Sequence, residues 1–109
     1  MTSSDIGDTA FAVQMVQSVD ILIKDVEELL IVIGNKAEEY KFTPMIGRSH
    51  GIHAEPITFG LKMLLMYDEF KRALRRLKNA RAVAAVGKLS GAVGTNAHLD
   101  TEVEKFVCE

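Results

Sequence analysis

Ala12-Val-Gln-Met-Val-Gln-Ser-Val-Asp-Ile-Leu-Ile-Lys-Asp-Val-Glu-Glu-Leu-Leu-Ile-Val-Ile33 is the stretch whose reading decides the fold. Apolar residues recur at Ala12, Met15, Val19, Leu22, Val26, Leu29 and Ile33. The alternating steps of three and four residues are those of a helix with one packed seam. A second apolar row, Val16, Ile23 and Leu30, lies beside the first, and Ile21, Ile31 and Val32 widen it. One partner helix cannot cover so wide a face. The pattern therefore predicts a helical bundle, much of it supplied from outside this chain.

Outward from this stretch, no proline occurs between Asp5 and Tyr40, and the glycines there are Gly7 and Gly34. One helix is predicted over about residues 4–40, roughly 50 Å long at about 1.5 Å per residue. Thr2, Ser3, Ser4 and Asp5 are all good N-cap types, and Asp5 and Asp8 suit the positive end of the helix dipole. The same cluster has a second reading. Hydroxyls and free backbone N–H groups at a helix N-terminus form an anion site, suited to a carboxylate or a phosphate.

In the other direction, residues 43–56 break the pattern with Pro44, Gly47, Gly51 and Pro56. Arg48, Ser49, His50, His53 and Glu55 stand between these breakers. The segment reads as a polar connector between two helices, with Pro56 opening the second as its first residue. That helix is predicted over about residues 57–81, with a seam of Phe59, Met63, Met66, Phe70, Leu74 or Ala73, and Leu77. Lys71, Arg72, Arg75, Arg76, Lys78 and Arg81 crowd its C-terminal half. They read as a solvated face that complements the helix dipole. Residues 82–99 hold Gly87, Gly91 and Gly94 and read as an irregular, close-packed connector. They make no phosphate loop, because Leu89 follows Lys88 and Ala82 stands where the earlier glycine belongs. At residues 100–109 a helix starts, capped by Asp100 or Thr101 with Glu102 and Glu104 in its first turn. A chain that stops as a helix begins is expected to be a truncated piece.

Composition limits the alternatives. The 109 residues are 48% hydrophobic and 26% charged, which suits a folded chain rather than a disordered one. The formal net charge of -2 gives no electrostatic case for nucleic acid. Cys108 is the single cysteine, so no internal disulfide forms, and a reducing compartment fits. The first residues carry no basic n-region of a secretory signal. The longest purely aliphatic run, Leu29 to Ile33, is far short of a membrane span of about 20 residues. A soluble, cytoplasmic protein is expected, without partners among nucleic acids or membranes.

Chemistry points to two clusters. The first is Thr2-Ser3-Ser4-Asp5; the second is Arg48-Ser49-His50-Gly51-Ile52-His53-Ala54-Glu55-Pro56. Zinc at His50 and His53 would need three or four ligands, and the spacing of His98 and Cys108 matches no familiar metal pattern. A hydrogen-bonded structural histidine is the plain reading. Against it, Gly47 and Gly51 leave His50 approachable, and Arg48 and Ser49 would bring an anion near. Histidine is the natural general acid or base near neutral pH.

Four segments together carry a more specific signal: Thr2-Ser3-Ser4-Asp5, Arg48 to Pro56, Thr58-Phe-Gly-Leu-Lys62 and Leu89-Ser-Gly-Ala-Val-Gly-Thr95. In this order and spacing they resemble the adenylosuccinate lyase family, within the fumarase/aspartase superfamily. The resemblance covers essentially the whole chain. It implies an all-α fold, a long helical hairpin from the family's central bundle. It implies a tetramer whose active sites each draw on three subunits. The implied reaction is β-elimination of fumarate from adenylosuccinate, leaving AMP, with no metal and no organic cofactor. His50 matches the family's general acid. Ser49 stands where the family has threonine, keeping the hydroxyl and losing a methyl, and Arg48 precedes it in the same substrate-binding motif. Thr2 and Ser3, with Ser4 beside them, match the segment that binds the succinyl carboxylates. The family's base, a serine in a Ser-Ser-x-Met-Pro loop, has no counterpart in these 109 residues. Neither does its N-terminal domain, with a further substrate-binding histidine. The chain alone is accordingly expected to be inactive. Two other readings stand beside this one: a non-catalytic helical oligomerisation module, and a sister lyase that releases fumarate from another substrate.

Overall fold

The computed structural model describes residues 2–109. Its elements are α1 (Ser3–Glu39), β1 (Pro44–Ser49), β2 (Ile52–Thr58), α2 (Phe59–Ala84) and α3 (Thr101–Cys108). The chain divides into two units. One joins the residues up to Leu22 with Lys78–Glu109, and the other is Ile23–Leu77. Among the described residues no helix is long and apolar enough to cross a membrane.

In the Ile23–Leu77 unit, Leu30 and Ile33 are the buried apolar residues of α1. Gly34 faces the ring of Tyr67, whose nearest carbon would lie 3.5 Å from a Cβ added there. Gly60 is tighter still. A Cβ on it would stand 2.4 Å from the carbonyl oxygen of Ala37 and 2.5 Å from Cα of Lys41. Glycine at residue 60 is therefore what lets α2 start against the end of α1. The same junction is tied by Phe59 N–H to Thr43 O (2.8 Å) and Gly60 N–H to Tyr40 O (2.9 Å). The rings of Tyr40 and Phe59 pack at 5.2 Å, tilted by 60°.

The expected polar connector over residues 43–56 is instead an antiparallel hairpin, so the fold is mostly helical with a two-stranded sheet rather than all-α. Ser49 pairs with Ile52, Arg48 with His53, Ile46 with Pro56, Met45 with Ile57 and Pro44 with Thr58. Between Ile46 and Arg48 the register shifts, so that Ala54 and Glu55 together oppose Gly47. Such an extra residue is a β-bulge. A Cβ on Gly47 would meet the carbonyl oxygen of Glu55 at 2.4 Å, which explains the glycine. Pro56 does not open α2. It lies inside β2, and in a two-stranded sheet both strands are edges, where a missing N–H is tolerated. The helix begins at Phe59, after Thr58 has turned its hydroxyl back to accept from Leu61 N–H at 3.2 Å. It runs to Ala84, three residues past the expected end.

In the other unit, Ala12 and Leu89 are the buried apolar residues and Asp5 is completely buried. Residues 85–100 contain neither helix nor strand. Gly91, Gly94 and Asn96 take positive φ there. Asp100 caps α3 by accepting from Glu102 N–H at 3.1 Å. Glu104, on α3, accepts from Leu89 N–H at 3.0 Å and from the Asn96 amide at 3.3 Å. Arg81, expected on a solvated face, clamps Asp20 through both Nε and Nη2. That bidentate partner holds the Asp20 carboxyl below its usual range and the guanidinium above its own.

Candidate functional site

The residues singled out for chemistry fall in two places, one in each unit. In the first, Thr2 and Asp5 cap α1 reciprocally. Asp5 Oδ2 accepts from Thr2 N–H at 3.0 Å, and the Thr2 hydroxyl accepts from Asp5 N–H at 3.4 Å. Ser3 and Ser4 occupy the first helical positions, and both are exposed. A helix start leaves backbone N–H groups without intrahelical acceptors, so an anion is favoured at this end. Beside Thr2 opens a hollow of about 240 Å³, walled by residues of the 90–99 loop, among them Ser90, Gly91, Thr95, Asn96 and His98.

Asp5 itself does more than cap. Its Oδ1 accepts from Lys88 Nζ at 3.1 Å, and its Oδ2 from Gly91 N–H at 3.1 Å. Thr2 N–H, the strongest influence, holds the Asp5 carboxyl below the ordinary carboxylate range together with Lys88 and Gly91, against the upward push of burial. One turn along α1, the Thr9 hydroxyl donates to Lys88 O at 3.0 Å and accepts from Lys88 N–H at 3.1 Å. The sequence marked Asp5 as an N-cap and helix-dipole residue of the Thr2-Ser3-Ser4-Asp5 cluster, and Lys88 only as a failed phosphate-loop lysine. The signal that could have joined them is a carboxylate at the third helical position with one glycine-flanked lysine elsewhere in the chain.

In the second unit, the hairpin turn is His50-Gly51. Both residues have positive φ, 52° and 76°, as a two-residue type I′ turn requires. Asparagine or aspartate is the usual first residue of such a turn, and here a histidine takes that left-handed position. His50 is thus exposed at the tip, with its backbone set by the turn. Arg48 and His53 are directly opposed across the strands, so their side chains share one face of the hairpin. Ser49, opposite Ile52, is on the other face. A hollow of about 420 Å³ is lined by Arg48 and Lys62 with Met45, Ile46, Gly47 and Ile57. Among the described residues no three His, Cys, Asp or Glu side chains come together as a metal-binding set.

What this arrangement offers is an exposed imidazole at a hairpin tip and, in the other unit, a helix start that favours an anion. Comparison with known proteins gives these features a context. A family model described as Lyase matches residues 1–109. Over all 109 residues the chain is 53% identical to the adenylosuccinate lyase of Bacillus subtilis (strain 168) and 50% identical to that of Staphylococcus saprophyticus. It spans about a quarter (25%) of the length of each of these curated relatives. Among solved structures, a fumarate lyase from Mesorhizobium sp. BNC1 superposes with a TM-score of 0.88 at 33% identity, over 97% of this chain and 26% of that one.

Proposed function

We propose, for a chain that belongs to the Lyase family over residues 1–109, that it supplies two segments of an active site eliminating fumarate from adenylosuccinate. The observation that carries this reading is the 53% identity, without a break in coverage, to an adenylosuccinate lyase. The lower identity to the solved fumarate lyase, 33%, favours that branch over a sister lyase.

In the proposed reaction a base removes a proton from the succinyl carbon next to a carboxylate. The electron pair forms the new C=C bond as the C–N bond breaks. The departing nitrogen takes a proton, leaving AMP and fumarate. His50 is the group that donates that proton. His50 is exposed at the hairpin tip, where a leaving group can reach its imidazole. Arg48 and Ser49, the two residues before the turn and both exposed, contribute substrate contacts at the end of β1. Thr2, Ser3 and Ser4 hold the succinyl carboxylates at the N-terminus of α1, where partial positive charge and unbonded N–H groups favour anions. This carboxylate site acts in the transition state too, because charge accumulates on the carboxylate next to the deprotonated carbon.

The base and the remaining substrate contacts come from segments outside these residues. Proximity of acid, base and substrate supplies much of such a rate enhancement, so the isolated chain is inactive. The purine-biosynthetic role, the tetramer and the cytoplasmic setting belong to the same proposal. Self-association has its own support. Ile31 and Leu65, in the Ile23–Leu77 unit, are each more than 60% exposed on the long helices, apolar side chains suited to cover by further helices.

A chimera tests the reading. The matching quarter of the Bacillus subtilis relative is replaced by residues 1–109, and adenylosuccinate cleavage is followed. The chimera is expected to turn over, and His50→Ala to lower kcat by about 10²–10⁴-fold, the usual contribution of a general acid. A chimera that assembles as its parent does but never cleaves substrate would sink the proposal. A fully active His50→Ala variant would sink the role of His50.

A further inference from the structure

Asp5 is a completely buried carboxylate that the proposed chemistry does not use. Its three donors come from three places: Thr2 N–H on its own helix start, Lys88 Nζ, and Gly91 N–H in the loop. Lys88 is fixed a second time, through its backbone, by the Thr9 hydroxyl. Residues 2, 5 and 9 of the α1 end are thus laced to residues 88–91. The loop so held continues directly into Ser90–Leu99, the wall of the hollow beside Thr2.

We propose that Asp5 is a positioning residue for carboxylate binding: by holding Gly91 and Lys88 to the first turn of α1, it sets the loop wall of the hollow in which Thr2 stands. This rests on the reading of Thr2, Ser3 and Ser4 as the seat of the succinyl carboxylates. Asp5 does not touch the substrate. Its negative charge is matched by Lys88, so it anchors the loop without repelling an incoming dicarboxylate.

The sign of one substitution separates positioning from plain electrostatics. Asp5→Asn keeps the shape, removes one negative charge and leaves the Lys88 ammonium unpaired. Charge alone then predicts tighter binding of an anion. Loss of the loop anchor predicts weaker binding. Thr9→Val supplies a charge-neutral control, since it cuts the second tie and leaves every ionised group in place.

The experiment titrates fumarate into the ¹⁵N-labelled 109-residue chain and follows the Ser3 and Ser4 amides. It is run where the amides of Ile23–Leu77 keep their native shifts, so that general unfolding is excluded. Fumarate is expected to move the Ser3 and Ser4 signals of the native chain. Asp5→Asn is expected to raise the Kd tenfold or more, and Thr9→Val several-fold. If Asp5→Asn does not fold, Thr9→Val decides alone. A native chain that binds, with both variants binding as well or better, overturns the positioning role and leaves the carboxylate seat standing. A native chain whose Ser3 and Ser4 amides ignore fumarate overturns the seat, and the inference with it.

Discussion

Asp5 shows how a residue can be named correctly by type and still be misjudged in role. Its place in the first turn of α1 is legible from the N-cap types around it. Its burial is not, because Lys88 and Gly91 are 83 and 86 residues away along the chain. The consequence appears in acid. The folded state holds the Asp5 carboxyl below its ordinary value, so the unfolded chain binds the proton more readily. The contribution of Asp5 is therefore present above about pH 4 and is lost as the pH falls below that value. Asp20 and Glu39 are held down as well, by Arg81 and by Lys36, and share that acid slope. Melting curves at several pH values are expected to show a lower neutral Tm and a shallower acid slope for Asp5→Asn than for the native chain. An unchanged slope would mean that the fold leaves the Asp5 carboxyl at its ordinary value. Gly60 makes a second prediction at this scale. With backbone atoms 2.4–2.6 Å from any added Cβ, Gly60→Ala forces α2 away from the end of α1. A loss of about 1–3 kcal/mol in denaturant unfolding is expected, as for other overpacked sites.

Among the elements, the long helices were readable and the hairpin was not. The 3,4 spacing from Ala12 to Ile33 needs no knowledge of partners, and α1 extends over Ser3–Glu39 as one helix. The hairpin exists only as a pairing. Its strands are short and carry prolines, its turn lacks the usual asparagine, and its register is broken at Gly47. Pro44 and Pro56 were read as helix punctuation, whereas each lies in an edge strand. The turn puts stability and chemistry in opposition. Asparagine takes left-handed backbone more readily than histidine does. His50→Asn is expected to leave the hairpin at least as stable, by chemical denaturation, while the chimera loses turnover. Gly51→Ala, at φ 76°, is expected to cost roughly 1–2 kcal/mol, the penalty for a side chain in that conformation. Equal turnover by His50→Asn would show that the tip serves the fold alone.

For the whole molecule, the decisive quantity is how little apolar surface the chain hides. Ala12, Leu30, Ile33 and Leu89 are its buried apolar side chains among the described residues, and none is completely hidden. Meanwhile Leu22 and Leu29, both on the predicted seam, remain 50% and 37% exposed. A 109-residue chain with so small a core gains little from folding alone, so its helices need further surfaces to cover them. The wide apolar stripe stated this need in the sequence; the number and identity of the covering helices are not written there. Helicity of the isolated chain is expected to rise with concentration in circular dichroism, along with mass in light scattering. Concentration-independent helicity in a monomer would refute that coupling.

The bulge opposite Gly47 has a consequence for how this region tolerates changes of length. A pleated strand keeps parity: odd and even positions look to opposite sides. Ala54 and Glu55 share a single partner position, so the parity of β2 is reversed between His53 and Pro56. Because α2 follows Thr58 immediately, that reversal also sets the azimuth at which the helix leaves the hairpin. Deleting either bulge residue would leave a single residue opposite Gly47, so Pro56, Ile57 and Thr58 could keep Ile46, Met45 and Pro44 as partners and α2 its starting azimuth. The same deletion anywhere else in β2 would be a phase error, turning every later side chain to the opposite side.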